Sequence, residues 1–171
     1  MSPVGFSGWA ESMYFAQPYT ISATGFYFID LEEYQTKAAT AVDDFGQPVE
    51  EFELHYIDGE CAELFNAVRV SQASLAEWFE LLDALGRDED RYRIACHLAG
   101  LGYALDELAD RWDDYSVYRG TAADYAAEII ADCYNLPGPI VSYIDYERLG
   151  REMVLGGDIT ELDDGIILIG G

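Results

Sequence analysis

Basic residues are scarce in this chain: nine Lys and Arg stand against 33 Asp and Glu in 171 residues, a formal net charge of −24. Such a balance offers no cationic patch to nucleic-acid phosphates or anionic lipids, and it repels both. Cysteine is also scarce. Cys61, Cys96 and Cys133 are odd in number and form no close pair, so neither a disulfide framework nor a zinc site is expected. They read as buried thiols of a reducing compartment. No apolar run approaches the roughly 20 residues of a membrane span. Met1 to Glu11 lacks the basic start and long apolar stretch of a signal peptide. The expectation is a soluble cytoplasmic protein that engages neither membrane nor nucleic acid directly.

Catalytic and ligand-binding signatures are missing too. There is no Gly-rich phosphate loop, no H-E-x-x-H and no G-x-S-x-G. Asp163-Asp-Gly165 lacks the 12-residue oxygen-ligand spacing of a calcium loop. His55 and His97 lie far apart, on an expected strand and an expected helix, and read as ordinary structural residues. Cys96 and His97 are neighbours on a helix, where adjacent side chains point about 100° apart and do not face each other. Carboxylate pairs are so numerous (Glu32-Glu33, Asp43-Asp44, Glu50-Glu51, Asp113-Asp114) that no one pair stands out as an acid and base. No catalytic residue, cofactor or metal is expected.

What the chain does have is a foldable composition. Half of it is hydrophobic and 14% is aromatic, which excludes a disordered acidic polymer. The acids do not form a tail. Residues 1–60 carry 11 acids and one base, residues 61–103 carry 7 and 4, and residues 104–171 carry 15 and 4. They are interleaved with Tyr, Phe, Leu and Ile inside what read as folded elements.

Local patterns divide the chain into three consecutive small units of an α+β fold. Residues 1–11, with Pro3, Gly5 and Gly8, read as a loose lead-in. In the first unit, 12–60, Ser12 to Tyr19, Gly25 to Ile29 and Phe52 to Ile57 read as strands. A helix starts at the capping-box-like Asp30-Leu-Glu-Glu33 and carries Leu31, Tyr34, Ala38 and Ala41. The second unit, 61–105, reads as a helical bundle. Ser74-Leu-Ala-Glu77 is a second capping box, Leu75, Trp78, Phe79, Leu82 and Leu85 follow helical spacing, and Gly86 ends the run. A further helix begins at Asp88 and ends at Gly100, and Leu105, Leu108 and Trp112 suggest another. The third unit, 106–171, combines helix and β-hairpin. Thr121-Ala-Ala-Asp124 caps a helix expected to run to Pro137-Gly-Pro139, Ile140 to Leu155 starts helical, and Asp158–Leu162 and Ile166–Ile169 flank an Asp-Gly turn.

The charge itself admits more than one reading. Duplex DNA carries one charge per about 1.7 Å of axis, so this net charge corresponds to roughly 40 Å of duplex, and that of a dimer to roughly 80 Å. Carboxylates along three units in series would then present to a DNA-binding groove what phosphates normally present. Adaptation to high salt also favours Asp and Glu over Lys, and gives an acidic interaction module without DNA-like geometry. A carboxylate-based hydrolase is the third class, with no motif to support it.

Several segments in fixed order resemble the ArdA antirestriction family, encoded by plasmids, conjugative transposons and phages. Tyr143-Ile-Asp-Tyr-Glu-Arg-Leu-Gly-Arg-Glu-Met is similar to that family's Y-I-D-Y-x-x-x-G-R-D/E signature, and Gly156-Gly-Asp-Ile and Gly165-Ile-Ile follow it. Phe28-Ile-Asp-Leu-Glu-Glu33 resembles the approach to its first helix, Glu51-Phe-Glu-Leu-His-Tyr-Ile57 the strand closing its first domain, and Met13-Tyr-Phe-Ala its opening strand. Between Leu75 and Ala99, where the family's helical antirestriction motif lies, Gly86-Arg-Asp-Glu-Asp90 stands in place of the usual Pro-Glu connection. The resemblance covers roughly residues 12–169. It implies an elongated three-domain mimic of bent B-form DNA, without catalytic residues, that occupies the DNA groove of type I restriction-modification enzymes at their methyltransferase core.

On that reading the phosphate mimics come from the two most acidic units: Asp30, Glu32, Glu33, Asp43, Asp44, Glu50, Glu51, Asp106, Asp110, Asp113, Asp114, Asp124, Glu128 and Asp132. The resemblance also implies a homodimer formed through the C-terminal unit. The helix after Thr121 offers Ala126, Ile129, Ile130 and Cys133 as an apolar stripe for it, unless that stripe packs on the hairpin of its own unit.

Overall fold

A computed structural model describes residues 12–162 and 165–171. The lead-in 1–11 and the turn residues Asp163 and Asp164 lie outside these. The fold is α+β with two three-stranded antiparallel sheets, and the chain divides into two compact units, one ending at Trp112 and one beginning at Asp113. Segments 12–60 and 61–105 both fall within the first unit, together with residues 106–112.

The first unit opens with the expected ββαβ layer: β1 (Met13–Pro18), β2 (Phe26–Phe28), α1 (Leu31–Thr40) and β3 (Phe52–Asp58), in strand order β2-β1-β3. β1 is central, and its alternate residues Tyr14, Ala16 and Pro18 are buried, as period-two alternation requires. Tyr14 stacks on Phe28 at 5.2 Å and meets Tyr56 edge-on at 5.1 Å. α1 starts where Asp30 accepts the Glu33 N–H at 2.8 Å. The return bond differs from a capping box: the Glu33 carboxylate accepts from the Ile29 N–H, one residue before the cap, because it is also held by Lys37 Nζ at 2.8 Å. Tyr34 is the buried residue of α1 and packs its ring against Phe26, Phe28 and Phe52.

After β3 the first unit continues with α2 (Ala62–Ala67), α3 (Leu75–Leu85), α4 (Glu89–Gly100) and α5 (Leu108–Arg111). α2 has only six residues and no side-chain cap, so no sequence signal announces it. The Ser74 capping box does not form. A 3-10 turn over Gln72–Ser74 leads into α3, and the Ser74 hydroxyl is used to accept the Ser71 N–H at 2.9 Å, so it is not available to cap α3. Gly86 at φ 59 closes α3, and Asp88 caps α4 by accepting from the N–H groups of Asp90 and Arg91. Leu105, Leu108 and Trp112 are buried as expected, but 3-10 turns on either side leave only four α-helical residues there. Trp78 is fully buried and donates its Nε1–H to the Tyr14 hydroxyl at 3.0 Å. This bond joins helices and sheet in one core.

The second unit contains β4 (Tyr115–Arg119), α6 (Ala122–Cys133), α7 (Gly138–Val141), α8 (Tyr146–Gly156), β5 (Ile159–Leu162) and β6 (Ile166–Gly170), with strand order β4-β6-β5. The β5–β6 hairpin is as expected, with Leu162 paired to Ile166 and Gly165 at φ 71. β4 was missed. Its partner β6 holds three consecutive buried residues, Ile166, Ile167 and Leu168, a run suited to a central strand with neighbours on both edges. Thr121 and Asp124 form a complete capping box for α6. That helix stops at Cys133, short of Pro137, where Tyr134 turns to extended backbone at φ −128 and ψ 130. α7 and α8 are likewise separate, and Asp145 of the Tyr143-Ile-Asp-Tyr motif caps α8 by accepting the Arg148 N–H at 3.0 Å.

Gly150 of the same motif explains how α6 and α8 pack. A Cβ built there would stand 2.5 Å from the Ala122 carbonyl carbon and 2.6 Å from its oxygen. Only a glycine lets α8 run this close to the start of α6. Beside this crossing, Ala122, Ile159 and Ile167 form the buried cluster, flanked by Tyr118, Tyr125, Met153 and Val154.

Candidate functional site

None of the Asp and Glu among the described residues is buried. Apolar stripes turn inward and leave the carboxylates on the outer faces of the same elements. Of the fourteen candidate phosphate mimics, twelve are exposed and two, Glu33 and Asp43, are half-buried. In the first unit, Asp30, Glu32 and Glu33 surround the first turn of α1, Asp43 and Asp44 lie on the loop after it, and Glu50 and Glu51 precede β3. Asp106 and Asp110 lie along the last helical segment of that unit. In the second, Asp113 and Asp114 precede β4, while Asp124, Glu128 and Asp132 follow one another at four-residue spacing on the exposed face of α6.

Four candidates also hold backbone in place. Asp30 caps α1, Glu33 is paired with Lys37, Asp43 accepts the N–H groups of Phe45 and Gln47 at 2.8 and 2.9 Å, and Asp124 accepts from the Thr121 N–H and hydroxyl. The Lys37 hydrogen bond, with help from the Ile29 N–H, holds the Glu33 carboxyl below its usual range. The Thr121 backbone and side-chain bonds do the same for Asp124. Glu33 and Asp124 therefore hold their charge while serving the fold.

A further acidic stripe lies outside the fourteen candidates. Glu77, Glu80 and Asp83 lie on α3 at three-residue spacing and are all exposed, opposite the buried Leu75, Trp78, Leu81, Leu82 and Leu85. Its signal in the sequence is the complement of the apolar stripe, set within a segment, 61–103, of low net charge.

Basic partners are too few to neutralise this surface. Lys37–Glu33, Arg93–Glu89 and Arg91–Asp88 pair at 2.8, 2.7 and 3.8 Å, all within single helices or across a helix start. With nine Lys and Arg for 33 acids, 24 carboxylates are left without a one-to-one cationic partner.

The other residues considered in the sequence are dispersed. His55 is exposed on β3, 3.6 Å from Glu53, and His97 is half-buried on α4, where burial lowers its pKa. The thiols of Cys61 and Cys96 are each pushed up to about 12 by burial, and Cys133 is exposed. Among the described residues no His, Cys, Asp and Glu gather into a set that could hold a metal, and no helix is long and apolar enough to cross a membrane. Of the interface candidates, Ala126 is 0% exposed within the chain itself, Ile129 and Ile130 are half-buried and Cys133 is exposed. More apolar surface follows: Tyr134, Leu136, Ile140, Tyr143 and Leu155 are all exposed.

No individually curated protein matches the sequence. The family model described as Antirestriction protein (ArdA) matches residues 11–168, nearly the whole chain. A surface built of unneutralised carboxylates, with the Tyr143-Ile-Asp-Tyr cap and the Gly150 crossing in their motif positions, thus goes with a match of that extent, and the chain belongs to the ArdA antirestriction family.

Proposed function

We propose that this antirestriction protein works as a DNA mimic: its carboxylates meet the Lys and Arg that otherwise contact phosphates, and it occupies the DNA groove of a type I restriction-modification enzyme at the methyltransferase core. The observation that carries the reading is the excess of 24 carboxylates over cations, with no described Asp or Glu buried. Burying charge is costly without a partner, so exposed carboxylates are the rule in any protein. An excess this large is not, because self-repulsion opposes the compact state. A basic groove relieves that repulsion, and complementary potentials steer the encounter. The mechanism needs no bond-making by this chain. Exclusion of DNA is sufficient to block restriction, and it blocks modification wherever both activities share the groove.

The test is binding of the purified protein to a type I methyltransferase core with duplex DNA as competitor, across a salt series. Binding is expected to be lost as specific DNA saturates the enzyme and to weaken as salt rises. Equal binding with and without saturating DNA refutes occupation of the groove. A fold that forms only in molar salt supports the salt-adapted interaction module instead.

The same reading includes a homodimer through the second unit, which doubles the length of charge presented. Its support is the exposed apolar surface that follows α6, where Tyr143 is 89% and Leu155 78% exposed. Light scattering on the parent and on Tyr143→Asp, with Ile129→Asp to probe α6 itself, tests it. A monomeric parent rules out the dimer.

A further inference from the structure

The acidic surface of the first unit carries an apolar projection that charge mimicry does not account for. Two loops, one between β1 and β2 and one between α1 and β3, are joined edge to edge. Ala23 and Asp43 form an antiparallel bridge, and the Asp44 N–H donates to the Ser22 carbonyl at 2.9 Å. Each loop makes a tight turn at this junction: the Ala23 N–H donates to the Thr20 carbonyl and the Gly46 N–H to the Asp43 carbonyl. Ile21 stands at the corner of the first turn and is fully exposed at 104%; Phe45 stands at the corner of the second and is 81% exposed. Tyr19 and Val42 beside them are exposed as well.

The projection is rigidly built. Asp43 fixes the Phe45 corner by accepting both the Phe45 and Gln47 N–H groups, Gly46 supplies the positive φ of 77 that the turn needs, and Val42 is bridged to Pro48. Single exposed apolar residues are ordinary. Here two of them sit on adjoining turns whose hydrogen bonds hold them in water, with the carboxylates of Asp43 and Asp44 alongside. With the backbone of both turns already fixed, binding has only the side-chain rotamers left to order, which favours an anchor.

We infer that Ile21 and Phe45 form an apolar anchor that inserts into a recess with an apolar floor and a basic rim in the DNA groove of the target enzyme. The inference rests on the DNA-groove reading and extends it. The rim follows from charge complementarity with Asp43 and Asp44. The floor follows from what such grooves read besides phosphates, since base edges are met by hydrogen bonds and thymine methyls by apolar contacts, while phosphates are met by cations. The anchor supplies affinity that salt does not screen, and the carboxylates supply the part that it does.

The experiment measures binding of the parent, of the double variant Ile21→Ser/Phe45→Ser, of Phe45→Leu and of Asp44→Asn to a type I methyltransferase core that the parent inhibits, across a salt series. Circular dichroism confirms the fold, which substitutions at exposed corners are expected to leave intact. The double variant should bind about tenfold to hundredfold more weakly, the range of an interface hot spot, with the slope of log K against log salt unchanged. Phe45→Leu should recover most of the loss, and Asp44→Asn should lessen the slope with little change at high salt. A folded double variant that binds within about twofold of the parent overturns the anchor, as does a loss that vanishes at high salt. Failure of DNA to compete with the parent would refute the groove reading and the anchor's place in that groove, while the serine effect, read directly on the complex, still decides whether Ile21 and Phe45 act as an anchor.

Discussion

Gly150→Ala should destabilise the second unit, although an alanine is intrinsically the better helix former. Two effects oppose each other on α8. Replacing an interior helical glycine gains up to about 1 kcal/mol from backbone entropy and propensity. At Gly150 the new methyl would lie 2.5 Å from the Ala122 carbonyl carbon, 2.6 Å from its oxygen and 2.8 Å from the Ala123 nitrogen. These are backbone atoms at the start of α6 and cannot rotate aside, so the two helices must separate or tilt. Overpacking of this kind costs about 1–3 kcal/mol. At this site it meets the capping box of Thr121 and Asp124, which ties the same turn to its position. The cost should therefore exceed the gain, leaving a net loss of about 1–2 kcal/mol, which in a domain of this size lowers Tm by several degrees. Gly156→Ala on the same helix is the control. There the nearest atom is the Asp158 carboxylate oxygen at 3.6 Å, an ordinary contact, so stability should hold or rise slightly. Urea titrations followed by far-UV circular dichroism, compared at the midpoint, measure both. Equal stabilisation by the two substitutions would refute the close-crossing account of the motif glycine.

Two tyrosines should respond with opposite signs in the same titration. Tyr14→Phe leaves the buried Trp78 Nε1–H without its acceptor and should cost about 1–3 kcal/mol, whereas Tyr34→Phe removes a buried hydroxyl that has no partner among the described residues and should cost nothing or stabilise. Asp124→Asn tests linkage: because the Thr121 bonds depress the folded-state pKa, the charged carboxylate contributes stability above the unfolded Asp value of about 3.9, and this is lost as pH falls through the folded value. The gap between parent and variant should thus be full at neutral pH and close in acid, after correction with Glu152→Gln for general relief of repulsion; a gap independent of pH would contradict it. For inhibition, Asp113→Asn with Asp114→Asn should have a small effect, and neutralising the exposed acids across 106–132 a much larger one, measured as protection of unmodified DNA from cleavage. Complete loss from one carboxylate-to-amide change would refute collective action.

The division of labour between sequence and tertiary structure follows from the range of the interactions involved. Charge excess and its spread along the chain are properties of composition, and no fold can alter them. Helix starts at Asp30, Asp88 and Thr121, the stop at Gly86 and the β5–β6 hairpin were legible because caps and tight turns are settled among residues a few positions apart. The capping of α3 at Ser74 failed for a related reason: a competing N–H three residues back was closer at hand. Contacts between distant residues were not legible. Trp78 reaches Tyr14 across 64 positions, β4 acquires its strand character by pairing with β6, and Ala126 is withdrawn from any outside partner by the fold of its own unit. The candidate surface divides the same way. Sequence supplied the carboxylates, but only packing decided that Asp43 would be tied into its loop while Phe45 and Ile21 were left in water, because turn geometry and not hydropathy sets the exposure of a residue at a corner.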